Sequence, residues 1–230
     1  MKTVYELELL DSVPAIKSGA NEYILIDTGS PLSFSSSGNI SINGNLVTVA
    51  RSLDSVNTTY LSTQFNRKIN GLIGMDIMRN LIMRFDYNKK ELAVSDEETA
   101  NDLHLTRSDI VKQWHSIPII QIFDHKTNRH LNAIIDTGAK HSYVRSEIVQ
   151  NLSFTAVISD FNPSLGQFQA KSYSGFEYRI GNNTIIHPVC EYEPLNPLLK
   201  RFSVDALLGY DLLKLGTWKL NSYNISFLFN

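Results

Sequence analysis

Two short acidic motifs are the residues of this chain best suited to catalysis. The sequence Asp-Thr-Gly occurs at residues 27–29, followed by Ser30, and again at residues 136–138, followed by Ala139. Glycine lets such a turn close tightly, and the threonine hydroxyl can bond a neighbouring chain. Two carboxyls held face to face cannot both ionise, so the pair shares one proton. The ionised member can then activate water while the protonated member donates to a carbonyl, which is general acid–base hydrolysis.

A second signature follows each acidic motif. Residues 71–78 have the sequence Gly-Leu-Ile-Gly-Met-Asp-Ile-Met, and residues 206–213 have the sequence Ala-Leu-Leu-Gly-Tyr-Asp-Leu-Leu. The order of the two signatures is the same in both halves, which indicates an internal duplication. A single Asp-Thr-Gly is usually a turn with a capping carboxylate, but the duplicated set favours two loops with one function.

Short strands and tight turns must position these motifs. Asn43-Gly44 predicts a hairpin within residues 39–49, and a related hairpin is expected around Gly181. Closing hairpins are predicted at residues 81–94 and 215–229, and short helices at residues 76–80 and 146–152, the second with Ser146 as its N-cap. The pattern predicts an all-β chain of two related lobes, residues 1–95 and 116–230, joined by a linker at residues 96–115.

Composition excludes several classes of partner. The 230 residues carry 21 Lys and Arg against 23 Asp and Glu, a net charge of -2, with no basic stripe for nucleic acid or a membrane surface. Acidic residues near the start and the lack of a long apolar run predict a cytoplasmic protein. Cys190 is the single cysteine, so no internal disulfide is expected, and His125 and His130 lack metal-ligand spacing.

The paired motifs together resemble those of aspartic proteases of the pepsin and retropepsin type, over residues 4–94 and 116–229. The resemblance implies a two-lobed pepsin-like fold with pseudo-twofold symmetry, a peptide or protein substrate, and neither cofactor nor metal. The resemblance implies Asp27 and Asp136 as the catalytic pair, Thr28, Gly29, Ser30, Thr137, Gly138 and Ala139 as support for the catalytic loops, and Gly74 and Gly209 on the strands beneath them.

The resemblance also predicts that the two carboxyls differ. Ser30 matches the pepsin pattern, in which the hydroxyl supports the adjacent carboxylate, whereas Ala139 matches the retropepsin pattern and has no hydroxyl. We therefore expect Asp27 to be the ionised member. Retroviral members of the family build their site from two chains, but this chain supplies both halves, which predicts a monomer.

The duplication is unequal in one place. A segment at about residues 150–175 has no counterpart in the first half, and it contains a turn flanked by aromatic residues. We predict that it forms a single flap over residues 154–175, with Phe161, Phe168 and Tyr173 lining the cleft. Two alternatives stay open: a catalytically weak or inactive peptide-binding protein on the same fold, and a homodimer whose lobes pair between chains.

Overall fold

The structure is a computed structural model that describes residues 1–98, 105–162 and 166–229, and within them the protein is mostly β. The strands of the first half are β1 (Lys2–Leu10), β2 (Val13–Gly19), β3 (Glu22–Ile26), β4 (Phe34–Ser35), β5 (Asn39–Ile42), β6 (Asn45–Thr48), β7 (Ser52–Leu53), β8 (Val56–Asn57), β9 (Lys68–Ile73), β10 (Ile82–Asp86) and β11 (Glu91–Ser95). The strands of the second half are β12 (Thr106–Trp114), β13 (Ile117–Asp124), β14 (Arg129–Ile135), β15 (Tyr143–Val144), β16 (Ser153–Asn162), β17 (Gly166–Ile180), β18 (Asn183–Glu191), β19 (Ala206–Leu208), β20 (Gly216–Leu220) and β21 (Asn224–Phe229).

The helices are few and short. Within the described ranges they are α1 (Thr58–Phe65), α2 (Met75–Met78), α3 (Ser146–Val149), α4 (Asn196–Arg201) and α5 (Tyr210–Leu213), and a 3-10 turn spans Glu193–Leu195. None of the helices in the described ranges is long and apolar enough to cross a membrane.

Among the described residues, seventeen strands are linked by hydrogen bonds into one large mixed sheet, and two small hairpins, β5–β6 and β7–β8, lie outside it. Most neighbours are antiparallel, but β3 runs parallel to β9 and β14 runs parallel to β19. In each half, therefore, the strand that ends at the acidic motif lies beside the strand that ends at the glycine signature.

The two halves share part of this sheet. Strand β10 of the first half pairs with β20 of the second, and this register sets Phe85 opposite Trp218. The two rings stack with their centroids 4.1 Å apart, and both side chains are almost fully buried. Stacked aromatic pairs contribute about 0.5–1.5 kcal/mol beyond their buried area. The largest apolar core contains residues from both halves, so packing as well as hydrogen bonding holds the halves together.

Turn chemistry explains the hairpins that the sequence predicts. The β5–β6 turn has Asn43 at φ 50° and Gly44 at φ 77°, the left-handed values that an Asn-Gly turn supplies at low cost. The hairpin at Gly181 is confirmed between β17 and β18, with Gly181 at φ 55°. Both closing hairpins are also confirmed, as β10–β11 and β20–β21.

One predicted helix cap is wrong, and one helix was not predicted. Helix α3 begins at Ser146 with Arg145 as its N-cap, so the prediction of Ser146 as the cap is wrong; its hydroxyl instead donates to Glu191. Helix α1 was not predicted, although its cap is visible in the sequence: the Asn57 side chain accepts a hydrogen bond from the Tyr60 backbone N–H at 2.9 Å.

The predicted linker contains a strand. Residues 99–104 lie outside the described part, but Thr106–Trp114 forms β12 and pairs with both β13 and β21. That part of the segment belongs to the sheet because residues 106–109 pair with β21 and residues 110–114 pair with β13. The division into residues 1–95 and 116–230 stays a prediction.

Candidate active site

The first acidic loop begins where strand β3 ends. The Asp27 backbone N–H donates to the Ile73 carbonyl on the neighbouring parallel strand at 3.0 Å. The loop then turns back on itself, because the Gly29 N–H donates to Asp27 Oδ1 at 2.8 Å and the Ser30 N–H donates to the Asp27 carbonyl at 3.2 Å. These bonds fix the direction of the Asp27 carboxyl at the end of a buried strand.

The second acidic loop repeats this geometry. The Asp136 N–H donates to the Leu208 carbonyl at 3.0 Å, and the Gly138 N–H donates to Asp136 Oδ1 at 2.9 Å. The Ala139 N–H donates to the Asp136 carbonyl at 3.3 Å. Each bond of the first loop thus has an equivalent in the second.

Two threonines lock the loops together. The backbone N–H of Thr28 donates to Thr137 Oγ1, and the N–H of Thr137 donates to Thr28 Oγ1, both at 3.0 Å. The Thr28 hydroxyl donates to the Ile135 carbonyl at 2.7 Å, and the Thr137 hydroxyl donates to the Ile26 carbonyl at 2.8 Å. Both side chains are fully buried. Each hydroxyl is therefore both donor and acceptor across the junction of the two halves.

A serine and an aspartate support the first glycine signature. The Ser33 hydroxyl accepts a hydrogen bond from the Gly74 N–H at 2.8 Å and donates to Asp76 Oδ1 at 2.5 Å. The Met75 N–H also donates to the Ser30 carbonyl at 2.9 Å, which joins the signature to the acidic loop. Gly74 has no room for a side chain, since a Cβ would lie 2.6 Å from the Leu32 carbonyl oxygen.

The second half has the same support. The Ser142 hydroxyl accepts from the Gly209 N–H at 3.0 Å and donates to Asp211 Oδ1 at 2.5 Å. Sequence analysis missed all four supporting residues. The signal was present in the repeat: a serine stands six residues after each acidic residue, and an aspartate two residues after each signature glycine.

The structure brings the two predicted acidic residues together. The carboxyls of Asp27 and Asp136 lie close enough for the ionisation of one to affect the pKa of the other. Each carboxyl also lies against the glycine of the opposite loop, so a Cβ on Gly138 would stand 2.6 Å from Asp27 Cγ, and a Cβ on Gly29 would overlap the Asp136 carboxyl. Both acidic residues are partly buried, and both line a cavity above the loops.

The two carboxyls do not ionise together. Burial raises the pKa of Asp27 above its usual range, although hydrogen bonds from the Gly29, Ser30 and Gly138 backbones oppose the rise. Burial raises the pKa of Asp136 further, and the negative charge of Asp27 adds to the rise. The pKa of Asp136 is thus raised more than that of Asp27, so Asp136 is the member that keeps its proton to higher pH.

The predicted reason for this asymmetry is wrong. The Ser30 hydroxyl donates to the Leu32 carbonyl at 2.8 Å and does not support the Asp27 carboxylate. The backbone N–H groups of Ser30 and Ala139 instead act alike: each donates to the carbonyl of the preceding aspartate and lowers the pKa of its carboxyl. The difference between the two side chains therefore does not distinguish the two acids.

A cavity of about 270 Å³ lies above the acidic pair, between the two halves of the chain. Its first-half wall is mostly apolar and contains Val13, Leu25, Pro31, Phe34, Leu53, Val56, Leu61, Phe65 and Leu72, together with Asp11, Gly29 and Ser30. Its second-half wall is more polar and consists of Ala139, Lys140, Tyr143, Asp160, Phe161, Asn162, Phe168, Tyr192, Leu195 and Leu207. Apolar walls with a few convergent polar groups are typical of ligand sites.

The predicted flap is the hairpin of β16 and β17, and residues 163–165 at its turn lie outside the described residues. Phe161 and Phe168 line the cavity as predicted, and the Phe161 ring lies 6.4 Å from the ring of Tyr60 in the first half. Tyr173 does not line the cavity. It lies an odd number of residues after Phe168, so strand alternation turns it to the other face, where it contacts Phe154 and Glu191.

Other reactive side chains lie away from the acidic pair. Cys190 is buried, and its pKa is raised to about 12 by burial and by the charges of Asp211 and Asp160, so it is a thiol rather than a nucleophilic thiolate. In the part of the chain that the structure describes, no group of three or more His, Cys, Asp and Glu side chains is placed to hold a metal ion.

No protein-family model matches the chain, and no curated protein matches it either. The function is therefore inferred from the site itself, whose chemistry depends on two adjacent carboxyls at the floor of a cavity.

Proposed function

We propose that this protein is an aspartic peptidase that acts as a monomer on a two-lobed pepsin-like fold. The observation that carries the proposal is the juxtaposition of the Asp27 and Asp136 carboxyls, each against the glycine of the opposite loop, on two loops that Thr28 and Thr137 cross-link. One chain supplies both carboxyls, so no second copy is needed to complete the pair. The cavity above them would hold the substrate peptide between the two halves.

The proposed reaction uses the two ionisation states of the pair. The Asp27 carboxylate accepts a proton from a water molecule as the water oxygen attacks the peptide carbonyl carbon. Asp136 donates its proton to the carbonyl oxygen, so the tetrahedral intermediate is neutral. The C–N bond then breaks as the proton held by Asp27 passes to the amine nitrogen, and the hydroxyl that becomes the new carbonyl returns a proton to Asp136. Both carboxyls finish as they began.

The test compares the wild-type protein with Asp27→Asn and Asp136→Asn on a mixed peptide library, with cleavage followed by mass spectrometry between pH 4 and 8. General acid–base groups contribute about 100- to 10,000-fold, so each variant should lose at least about 100-fold in kcat/KM. Asp54→Asn is the matched control, because Asp54 is an exposed carboxylate outside the cavity lining, at a left-handed position that Asn tolerates.

Cleavage that survives in either active-site variant would contradict the proposal. Pepstatin inhibition of the wild type, lost in the Asp27→Asn variant, would support it further. If the wild type and both active-site variants bind peptides but none of them cleaves, the result would favour the alternative of a peptide-binding protein that uses the same cavity.

A further inference from the structure

The charges that line the cavity are unequal. The lining contains the carboxyls of Asp11, Asp27, Asp136 and Asp160 and the amine of Lys140. Lys140 Nζ already forms an ion pair with Asp11 Oδ1 at 2.8 Å, and the two acidic residues at the floor share one proton. Asp160 is the lining carboxylate that neither of these arrangements neutralises. The cavity therefore favours a ligand that carries a positive charge.

The Asp160 carboxylate is held in place by two hydrogen bonds. The Tyr143 hydroxyl donates to its Oδ2 at 2.5 Å, and the Phe161 backbone N–H donates to its Oδ1 at 2.8 Å. Tyr143 is anchored because it is only 4% exposed and lies in β15 beneath the hairpin. Each carboxylate oxygen can accept a further bond. Among the described residues, no Lys or Arg forms an ion pair with Asp160.

Aromatic rings lie beside this carboxylate. Phe168 stacks on Tyr192 with centroids 4.2 Å apart, and its ring also lies 6.2 Å from Tyr143. All three rings line the cavity together with Asp160. Rings next to a carboxylate suit a long basic side chain, because the apolar stem or guanidinium plane packs on the rings while the charged end bonds the carboxylate.

We propose that Asp160 is a specificity-determining residue that selects peptides with a basic side chain, arginine above all, in the second-half part of the cavity. The proposal rests on the proposed function, since it takes the cavity to be a peptide site. The first-half wall offers mostly apolar side chains to the other part of the peptide, and its Asp11 carboxylate is already paired with Lys140, so the two ends of the cavity select different side chains.

The experiment uses two libraries of eight-residue peptides that differ only at one fixed central position. That position is arginine in one library and citrulline, its neutral isostere, in the other. Binding is measured to the Asp136→Asn protein, in which the amide replaces an acid that is already protonated, so the charge of the cavity is kept. A charge-assisted bond should give the arginine library about tenfold tighter binding. In the double variant with Asp160→Asn, that ratio should fall to about one.

Glu193→Gln in the same Asp136→Asn background is the matched control. Glu193 is an exposed carboxylate that lies in the sequence between the lining residues Tyr192 and Leu195, but it does not itself line the cavity. The control removes one negative charge nearby, so it should keep the tenfold ratio if contact rather than long-range attraction selects arginine. Equal binding of the two libraries, or an equal loss in the Glu193 and Asp160 variants, would overturn the assignment of Asp160.

Cleavage by the wild-type protein separates this proposal from the first. If the wild type cleaves neither library but the Asp136→Asn protein prefers arginine, the peptidase proposal fails and the Asp160 assignment stands. If the wild type cleaves both libraries at equal rates, the peptidase proposal stands and the Asp160 assignment fails.

Discussion

The two acidic loops have the same backbone but different surroundings. In each loop the aspartate N–H bonds the glycine-signature strand, the following glycine N–H bonds the carboxylate, and a serine–aspartate pair supports the signature glycine. Outside this shared frame the halves diverge. The β16–β17 hairpin belongs to the second half. Asp76 and Asp211 make matching bonds to a serine and to the next backbone N–H, but Asp211 also has the buried His187 ring at 4.0 Å.

The comparison shows which part of the duplication carries the chemistry. The shared backbone frame sets the position of the two carboxyls, so it must be nearly the same on both sides of the junction. The two carboxyls then differ in pKa, because the negative charge of Asp27 adds to the effect of burial at Asp136. Selection of the substrate would come from the parts that are not duplicated.

The glycines between the carboxyls give the most severe test of the shared frame. Gly29→Ala and Gly138→Ala should each lower kcat/KM by about 100-fold or more, because a Cβ on either glycine meets the opposite carboxyl and displacements of about 1 Å have such effects. Peptide cleavage measures the loss. Gly19→Ala is the control, since its new Cβ would meet only the flexible end of Glu22, 2.9 Å away. Full activity in either active-site variant would show that the carboxyls are not where the structure puts them.

The threonines test whether the two loops are equivalent in energy. Thr28→Val and Thr137→Val should each lower the free energy of unfolding by about 2–4 kcal/mol, because each leaves a buried carbonyl and a buried N–H without a partner. The two losses, measured by urea unfolding, should agree within about 0.5 kcal/mol. The exposed Thr48→Val should change stability by less than that. A large loss in only one of the two would break the symmetry.

The protonated acid should reduce stability at neutral pH. The folded pKa of Asp136 lies above its unfolded value, so the native state holds the proton longer and stability falls as pH rises from the unfolded to the folded pKa. Asp136→Asn should therefore raise the free energy of unfolding by about 0.5–2 kcal/mol at pH 7, in line with stability–activity trade-offs. The gain should shrink below pH 4, where the wild-type carboxyl is protonated in both states. A loss of stability at pH 7 would contradict this account.

The smallest expected effect concerns His187, the buried histidine beside Asp211 in the second half. Burial lowers the pKa of His187 below 6.5, with the charge of Asp211 opposing, so the unfolded chain binds the proton first and stability falls as pH drops through 6.5. His187→Gln should reduce the decline in stability between pH 7 and 5 by up to about 1 kcal/mol. The exposed His125→Gln should leave the decline unchanged. Identical pH profiles of stability for the two variants would contradict the prediction that His187 contributes to the decline.

Much of the local structure could be predicted from the turn residues in the sequence. Asn43-Gly44 and Gly181 define hairpins because few other residues adopt their backbone angles at low cost, and the repeated Asp-Thr-Gly places both acidic residues at strand ends. Side-chain contacts were harder to predict. The orientation of Tyr173 depends on where the hairpin register begins, and the choice of the Leu32 carbonyl by the Ser30 hydroxyl depends on the exact course of the turn.

The supporting residues were missed for a different reason. Ser33 and Ser142 are ordinary polar residues until the chain folds, and only then does each hydroxyl lie between a glycine N–H and a carboxylate. Their matched positions, six residues after each acidic residue, are the signal that the sequence carries. The position of Asp160 against Tyr143 depends on the path of the whole β16–β17 hairpin, which no short motif encodes.

The most direct measurement is an NMR titration of the carboxyl carbons in protein labelled with ¹³C in aspartate, for the wild type and the Asp27→Asn variant. In the wild type, the Asp136 carboxyl should keep its proton well above the usual range near 3.9, and its pKa should fall in Asp27→Asn, because the neighbouring negative charge is gone. An Asp136 carboxyl that titrates in the usual range, at the same pH in both proteins, would show that no proton is shared and would contradict the account of the site.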